Sequence, residues 1–254
     1  MAYNEVCNPN WLTKKHRCYL NVNSFFKKEG KEMEYRYLGV ITGDLYKSTA
    51  GLERGIVYQS IMDQLRRRIT QSKRYDIDGI EFFRGDSFQI SCKDPSYLVE
   101  IATYIRAYLL SLSDEADGNR YDARMSLNIT QYNRFSGYSD SVYEKAFIDS
   151  GRTLDDMPKN KMLLFASDMQ ALTMSLNSSI LLLDTLLNML SKQQAEVLRL
   201  SIENGRLDMP YLVEETKKTR QTIHKLVARS GVENLLEYLR LSQQEITYHM
   251  KGTF

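Results

Sequence analysis

Tyr37-Leu38-Gly39-Val40-Ile41-Thr42-Gly43-Asp44 and Ile80-Glu81-Phe82-Phe83-Arg84-Gly85-Asp86 are the two stretches on which the fold turns. Each is a short, β-prone run that ends in Gly-Asp, the composition of a strand entering a turn. Between them, 52–69 carries Ile56, Val57, Ile61, Met62, Leu65 and Ile69 at helical spacing. Its outer face is basic, Arg66 to Arg68, and reads as solvated. Residues 77–83 alternate as a strand and 88–92 return, so 77–92 is a hairpin. A second amphipathic helix follows at 97–112, built on Leu98, Ile101, Ala102, Ile105 and Leu109. Then come a strand at 122–130, a helix at 141–154 and a short buried strand at 161–166. The order is β-α-β-β-α-β-α-β. Its first six elements match the split β-α-β, ferredoxin-like arrangement of an α+β domain.

That arrangement makes the first and third strands antiparallel neighbours. Asp44, closing the first, then lies beside the hairpin turn that holds Asp86. Two carboxylates at one point hold a divalent cation, Mg2+ or Mn2+, and the cation holds a triphosphate.

Beyond Ser167 strand signals stop. Residues 169–190 form a long helix rich in Leu and Met and nearly free of charge, a connector or a dimerisation surface. Ser191 caps a helix that Gly205 ends. Two shorter helices, 209–217 and 220–229, flank the turn Lys218-Thr219, and 233–250 continues helical. Leu212 and Val213 would pack on Ile223, Leu226 and Val227. The opposite face presents Lys218, Arg220, Gln221, Thr222, His224, Lys225 and Arg229, side chains suited to base edges and phosphates. The chain divides as an extension at 1–34, a palm-like domain at 35–166, a connector at 167–190 and an all-α helix-turn-helix domain at 191–254.

The totals narrow the classes. Among 254 residues the net charge is only +2, so contact with DNA must come from a local patch. With 43% hydrophobic residues a core forms without staples. Three cysteines (Cys7, Cys18, Cys92) with no CxxC fit a reducing cytoplasm and argue against structural zinc. No apolar run approaches the roughly 18 residues that span a bilayer, and Asp184 breaks the longest one.

The segments Val40 to Ser48 and Phe83 to Gln89 resemble the metal-binding strands of class III nucleotidyl cyclases, and Arg124-Met125-Ser126-Leu127-Asn128-Ile129 resembles the strand after that family's second helix. Residues 146–154 resemble the helix that closes its site. The pairing of "GD…S" and "GDxFQ" segments with a C-terminal helix-turn-helix is similar to the SatD-like family. The resemblance implies a cyclase-type palm in which Asp44 and Asp86 ligate metal and act in catalysis. It also implies that Arg152 steadies leaving pyrophosphate, and that Gly43, Lys47, Ser48, Gly85 and Arg124 contact nucleotide. Arg220-Gln221-Thr222-Ile223-His224-Lys225-Leu226 resembles the recognition helix of bacterial regulators.

One departure weighs on activity: where cyclases carry asparagine four residues before the helix arginine, this chain has Ile148. That favours a DNA-binding regulator with a sensing palm over a nucleotidyl cyclase or nucleotidyltransferase, with a structural protein carrying a degenerate palm as the third reading. Both modules lead to the expectation of a homodimer. The purine-rich codons that 28–33 could use suggest translation from Met33, leaving 1–32 as a start-site artefact. N-terminal sequencing checks this, and peptides from residues 1–30 would overturn it.

Overall fold

The computed structural model describes residues 35–46, 58–83, 86–113, 120–133 and 140–252. The extension 1–34, and with it Lys47, Ser48 and Gly85, lies outside the described residues. Over the described residues the chain is a mixed α+β protein with a five-stranded sheet. Its strands are β1 (Tyr35–Leu45), β2 (Ile77–Phe83), β3 (Ser87–Cys92), β4 (Ala123–Asn133) and β5 (Leu163–Ser167). Its helices are α1 (Tyr58–Gln71), α2 (Leu98–Leu112), α3 (Asp140–Asp156), α4 (Gln170–Met189), α5 (Lys192–Asn204), α6 (Met209–Thr216), α7 (Arg220–Ser230) and α8 (Val232–Met250).

The sheet order is β2-β3-β1-β4-β5. β1 is antiparallel to both β3 and β4, β2 is antiparallel to β3, and only β4 and β5 run parallel. The two faces of this sheet differ in kind, because side chains alternate along each strand. One face carries Ile41, Leu45, Phe88, Ile90, Met125, Leu127, Ile129 and Phe165 into the main core. The other carries Leu38 and Val40 against Ala146 of α3, then turns polar. There Thr42 donates to Ser150 Oγ at 2.8 Å, Gln89 donates to Thr42 Oγ1 at 3.1 Å, and Ser126 donates to the Ser150 carbonyl at 2.8 Å. α3 is therefore seated largely through hydroxyls, and this polar face runs out to the end of β1.

Gly43 points to the apolar face. A Cβ there would stand 2.5 Å from the Phe88 ring and 2.8 Å from Met125 Cγ, so the strand tolerates no side chain at that position.

α2 departs from its amphipathic reading. Every residue from Leu98 to Leu110 is buried, including Glu100, Thr103 and Arg106. The expected solvent face is covered by α5, which lies along α2 and buries Ala195, Val197, Leu198, Leu200, Ser201 and Ile202. The boundary expected at 190 falls between α4 and α5, whereas that at 166 cuts the end of β5, and one hydrophobic core runs from Ile41 through Leu183 to Ile246. Arg68, read as part of a solvated face, also bridges the junction. Glu203 of α5 accepts from Arg68 Nη1 at 3.1 Å and from the Tyr104 hydroxyl at 2.8 Å. Gly205, which ends α5 at φ 74°, leaves only enough room for Arg74, whose Nη1 would stand 2.5 Å from a Cβ there.

The helical tail forms as its caps dictate. Ser191 and Gln194 make a reciprocal capping box at the start of α5. Asp208 caps α6, and Thr219 caps α7. The turn between α6 and α7 requires a left-handed residue, and Lys217 takes it at φ 56°. Such a conformation at a non-glycine residue costs on the order of 1 kcal/mol.

The fold is tied together at Arg106, which is wholly buried. Its Nε and Nη2 donate in parallel to the two oxygens of Asp122 at 2.8 Å each. Nη1 donates to Asp184 at 2.7 Å, and Nη2 also donates to Asn188 Oδ1 at 2.6 Å. Asp184 Oδ2 accepts from the Met162 N–H, and Asp122 Oδ1 accepts from the Ala123 N–H, at 2.9 Å each. Four segments thus meet on one guanidinium: α2, the start of β4, the approach to β5, and α4.

Removing one partner from a buried ion network leaves the others charged and unpaired, at a cost of about 3–5 kcal/mol. Arg106→Met should therefore lose about that much stability in urea unfolding. Arg106→Lys should recover little, because an ammonium cannot make the parallel pair of bonds. Full stability in Arg106→Met would show that the network is dispensable.

Candidate functional site

Asp44 sits where β1 leaves the sheet. Its cross-strand partners are Ser87 on β3 and Arg124 on β4. The next residue of β1, Leu45, donates its N–H to the Asp86 carbonyl at 2.9 Å. Strand register therefore carries Asp86 to Asp44, two residues far apart in sequence, as the topology requires. On the far side of Asp44, Arg124 Nη1 stands 3.7 Å from its Oδ2. Arg124 is itself held by the carbonyls of Met157, at 3.0 Å, and Lys161, at 3.5 Å. It is thus a staple between β4 and the chain that follows α3 as well as a neighbour of Asp44.

Burial pushes the Asp44 carboxyl above its ordinary range. Arg124 opposes that shift, while Asp86 and Asp155 add to it by repulsion. Among the described residues, Asp44 Oδ1 is buried without a hydrogen-bond partner. An orphaned anionic oxygen beside further carboxylates suits a hard divalent cation. Among the described residues no three His, Cys, Asp or Glu side chains converge on one metal position. A cation at this point would draw its remaining oxygens from phosphate, backbone or water.

The other expected nucleotide contacts divide. Gly43 lies on the core face, opposite to Asp44, and offers only its backbone. Arg152 is not brought to the pair. Its side chain is 75% exposed and its nearest charged partner is Asp149, at 4.0 Å. It lines a groove with Asn128, Thr130 and Asp168. On β4 that level is four residues or more from Arg124, about 14 Å along the strand. Ile148, one turn before Arg152, is also exposed. Asp155, whose charge does reach Asp44, passed unnoticed in the sequence, because an exposed aspartate near a helix end carries no distinguishing pattern.

The second candidate surface is α7. It packs on α5 and α6, with Ile223 fully buried and Leu226 and Val227 half-buried. Arg220, Gln221, His224, Lys225 and Arg229 are exposed together, and Thr222 is half-exposed beside its cap Thr219. Lys218 differs from its expected role: its Nζ donates to Glu196 of α5 at 2.7 Å, so it braces the turn. Glu214 and Glu215 are exposed on α6, so the cationic surface lies on α7 and the turn before it, where Lys217 is also exposed.

No protein-family model matches the chain, and no curated protein matches it.

The Asp44 shift has a sign that can be tested. A carboxyl whose folded pKa lies above its unfolded value holds its proton more tightly when folded. Stability is then full below the ordinary value of 3.8 and falls as pH rises through the folded pKa. Glu100 shifts in the same direction through burial, so the comparison must be with the single variant. Asp44→Asn should raise the thermal midpoint at pH 7 and leave it unchanged near pH 3. A lower midpoint at pH 7 would mean that the Arg124 contact outweighs burial.

Proposed function

We propose that the protein is a DNA-binding regulator whose sheet forms a ferredoxin-like, nucleotidyl cyclase-type palm that senses a nucleotide with Mg2+ or Mn2+. The observation that carries this reading is the outer face of α7. Its eleven residues, RQTIHKLVARS, contain no acid and three permanent cations. All three are exposed, in a chain whose net charge is only +2. Cations and amide or hydroxyl groups on one helix face provide both phosphate attraction and base-edge hydrogen bonding. Support for the palm comes from the sheet order and from the meeting of Asp44 with Asp86, in line with the likeness to SatD-like proteins. Asp44 and Asp86 are the residues that would hold the cation. Once bound, it would neutralise triphosphate oxygens. The sparse cysteines, with Cys92 buried and unpaired, support a cytoplasmic setting.

A sensing role is preferred to turnover for a geometric reason. Arg152, the residue assigned to leaving pyrophosphate, lines its own groove away from the carboxylate pair, and Ile148 offers no hydrogen bond where cyclases carry asparagine.

The test is binding to genomic DNA fragments across a salt series. The protein should be retained at low salt, and its affinity should fall with salt. Arg220→Ala and Lys225→Ala should each weaken binding about tenfold, and each lost phosphate contact should reduce the salt slope by about one. Absence of retention at low salt would remove the regulator reading. Calorimetry with Mn2+ and each NTP addresses the palm: binding should disappear in Asp44→Asn with Asp86→Asn. If the wild type instead releases pyrophosphate and that variant does not, the protein is a cyclase or nucleotidyltransferase.

A further inference from the structure

α4 is a surface helix without a surface charge. Its twenty residues, QALTMSLNSSILLLDTLLNM, hold one ionisable side chain, Asp184, which is buried against Arg106. That ion pair and the Asn188 bond set the rotation of the helix. Leu172, Leu176, Ile180, Leu183 and Leu187 turn inward, where α4 packs on β5, α2 and α8. The outward side is uncharged and also carries large apolar side chains, among serines and a threonine. Of the nine large hydrophobic side chains exposed among the described residues, five are on α4: Met174, Leu181, Leu182, Leu186 and Met189. Leu182 is 67% exposed and Met189 75%. Isolated exposed leucines are ordinary, but a continuous strip with no charge is the composition of an interface centre.

The order of side-chain sizes along the strip indicates what covers it. Ser175, Ser178, Leu182, Leu186 and Met189 follow one another at spacings of three, four, four and three residues, so they form a single seam. The seam is symmetric about Leu182 in spacing and complementary in size. In an antiparallel pair of these helices with the two-fold axis at Leu182, Ser178 would face Leu186 of the other copy and Ser175 would face its Met189. Each small position would receive a long side chain, and Leu182 would meet itself. An unlike partner has no reason to require this arrangement, whereas a two-fold interface does. We propose that α4 pairs antiparallel with the α4 of a second copy of this chain, with the axis at Leu182.

Area sets a further condition. A 20-residue helix is about 30 Å long and offers a strip on the order of 300 Å². A standard interface buries about 800 Å² per subunit, so a neighbouring element must contribute. α8 is that neighbour. Its Tyr238 hydroxyl lies 3.1 Å from Ser179 Oγ of α4, and the helix carries two more exposed hydrophobic side chains, Leu241 and Tyr248. The inference is independent of what α7 or the Asp44 pair binds.

Analytical ultracentrifugation of the full chain at micromolar concentration should give about twice the 29.6 kDa of one copy. Leu182→Glu would set two carboxylates against each other on the axis and should raise the dimer dissociation constant on the order of 100-fold. Its far-UV spectrum and cooperative unfolding should remain. The register is tested by oxidation after Cys7 and Cys18 are replaced by Ser. Leu182→Cys should cross-link to itself. Met174→Cys should not, since its two copies would lie about 24 Å apart along the helices. A monomeric parent would overturn the proposal and assign the strip to an unlike protein. A dimer that ignores Leu182→Glu, or one that cross-links through residue 174 and not 182, would overturn it as well.

Discussion

The structure depends on keeping one guanidinium charged and fully bonded in a place that water does not reach. Arg106 has no exposed surface, and its partners Asp122 and Asp184 are nearly as buried. A dry ion pair is not inherently stabilising, because desolvation of each charge competes with the attraction between them. What makes this one tenable is saturation. Both oxygens of Asp122 and both of Asp184 are bonded, either to Arg106 or to a backbone N–H at the start of a strand. The same bonds dictate geometry, since α2, β4, the approach to β5 and α4 are placed correctly only when all of them close together. Asp122 also carries the constraint to the end of β1, where its carbonyl accepts from the Tyr46 N–H at 2.8 Å.

From that anchor the sheet separates two tasks. Its apolar face takes the main core and, through α2, the whole helical tail. Its other face is lined with hydroxyls and amides under α3 and ends at Asp44 and Arg124. A carboxylate kept partly buried, with one oxygen unpartnered and other acids nearby, is a local cost, and such costs collect where proteins bind ligands. The apolar face can carry that cost because its packing does not pass through the Asp44 corner. The tail is equally divided. Ile223 is buried, while the polar side of α7 is left exposed and free of acids.

Much of this was legible in the chain. Period-two runs ending in Gly-Asp mark β1 and the β2–β3 hairpin, and the caps Ser191, Gly205 and Thr219 mark the ends of the tail helices, because those signals act within a few residues. The same residues that looked incidental in sequence turned out to be central. Arg106 is a lone cation in an apolar helix, and Asp184 is a lone anion in another. Each interrupted a pattern, but nothing in sequence said that the two interruptions meet. The outward face of α2 was misread for the same reason: Glu100 and Arg106 look like solvent-facing charges until Arg74 and Tyr75 close over the one and Asp122 and Asp184 over the other. Lys218 looked like a phosphate contact until Glu196, 22 residues earlier, came within reach. Gly43 was expected to contact nucleotide, and the Phe88 ring over its Cα leaves only its backbone for that.

By itself, the sequence determined which segments are strands, helices and caps, and that the two Gly-Asp pairs belong to neighbouring strands, although Gly43-Asp44, read as a turn, stays within β1. These follow from side-chain periodicity and backbone preference, which are local. Only the tertiary structure decided which charges are buried, which helix face is left bare and which side of a strand a residue serves. Asp44 and Asp86 come together while Arg152 does not, and α4 shows solvent an uncharged strip because its one charge is held by Arg106. Those outcomes depend on the rotation of one element against another, set by long-range contacts that no single segment encodes.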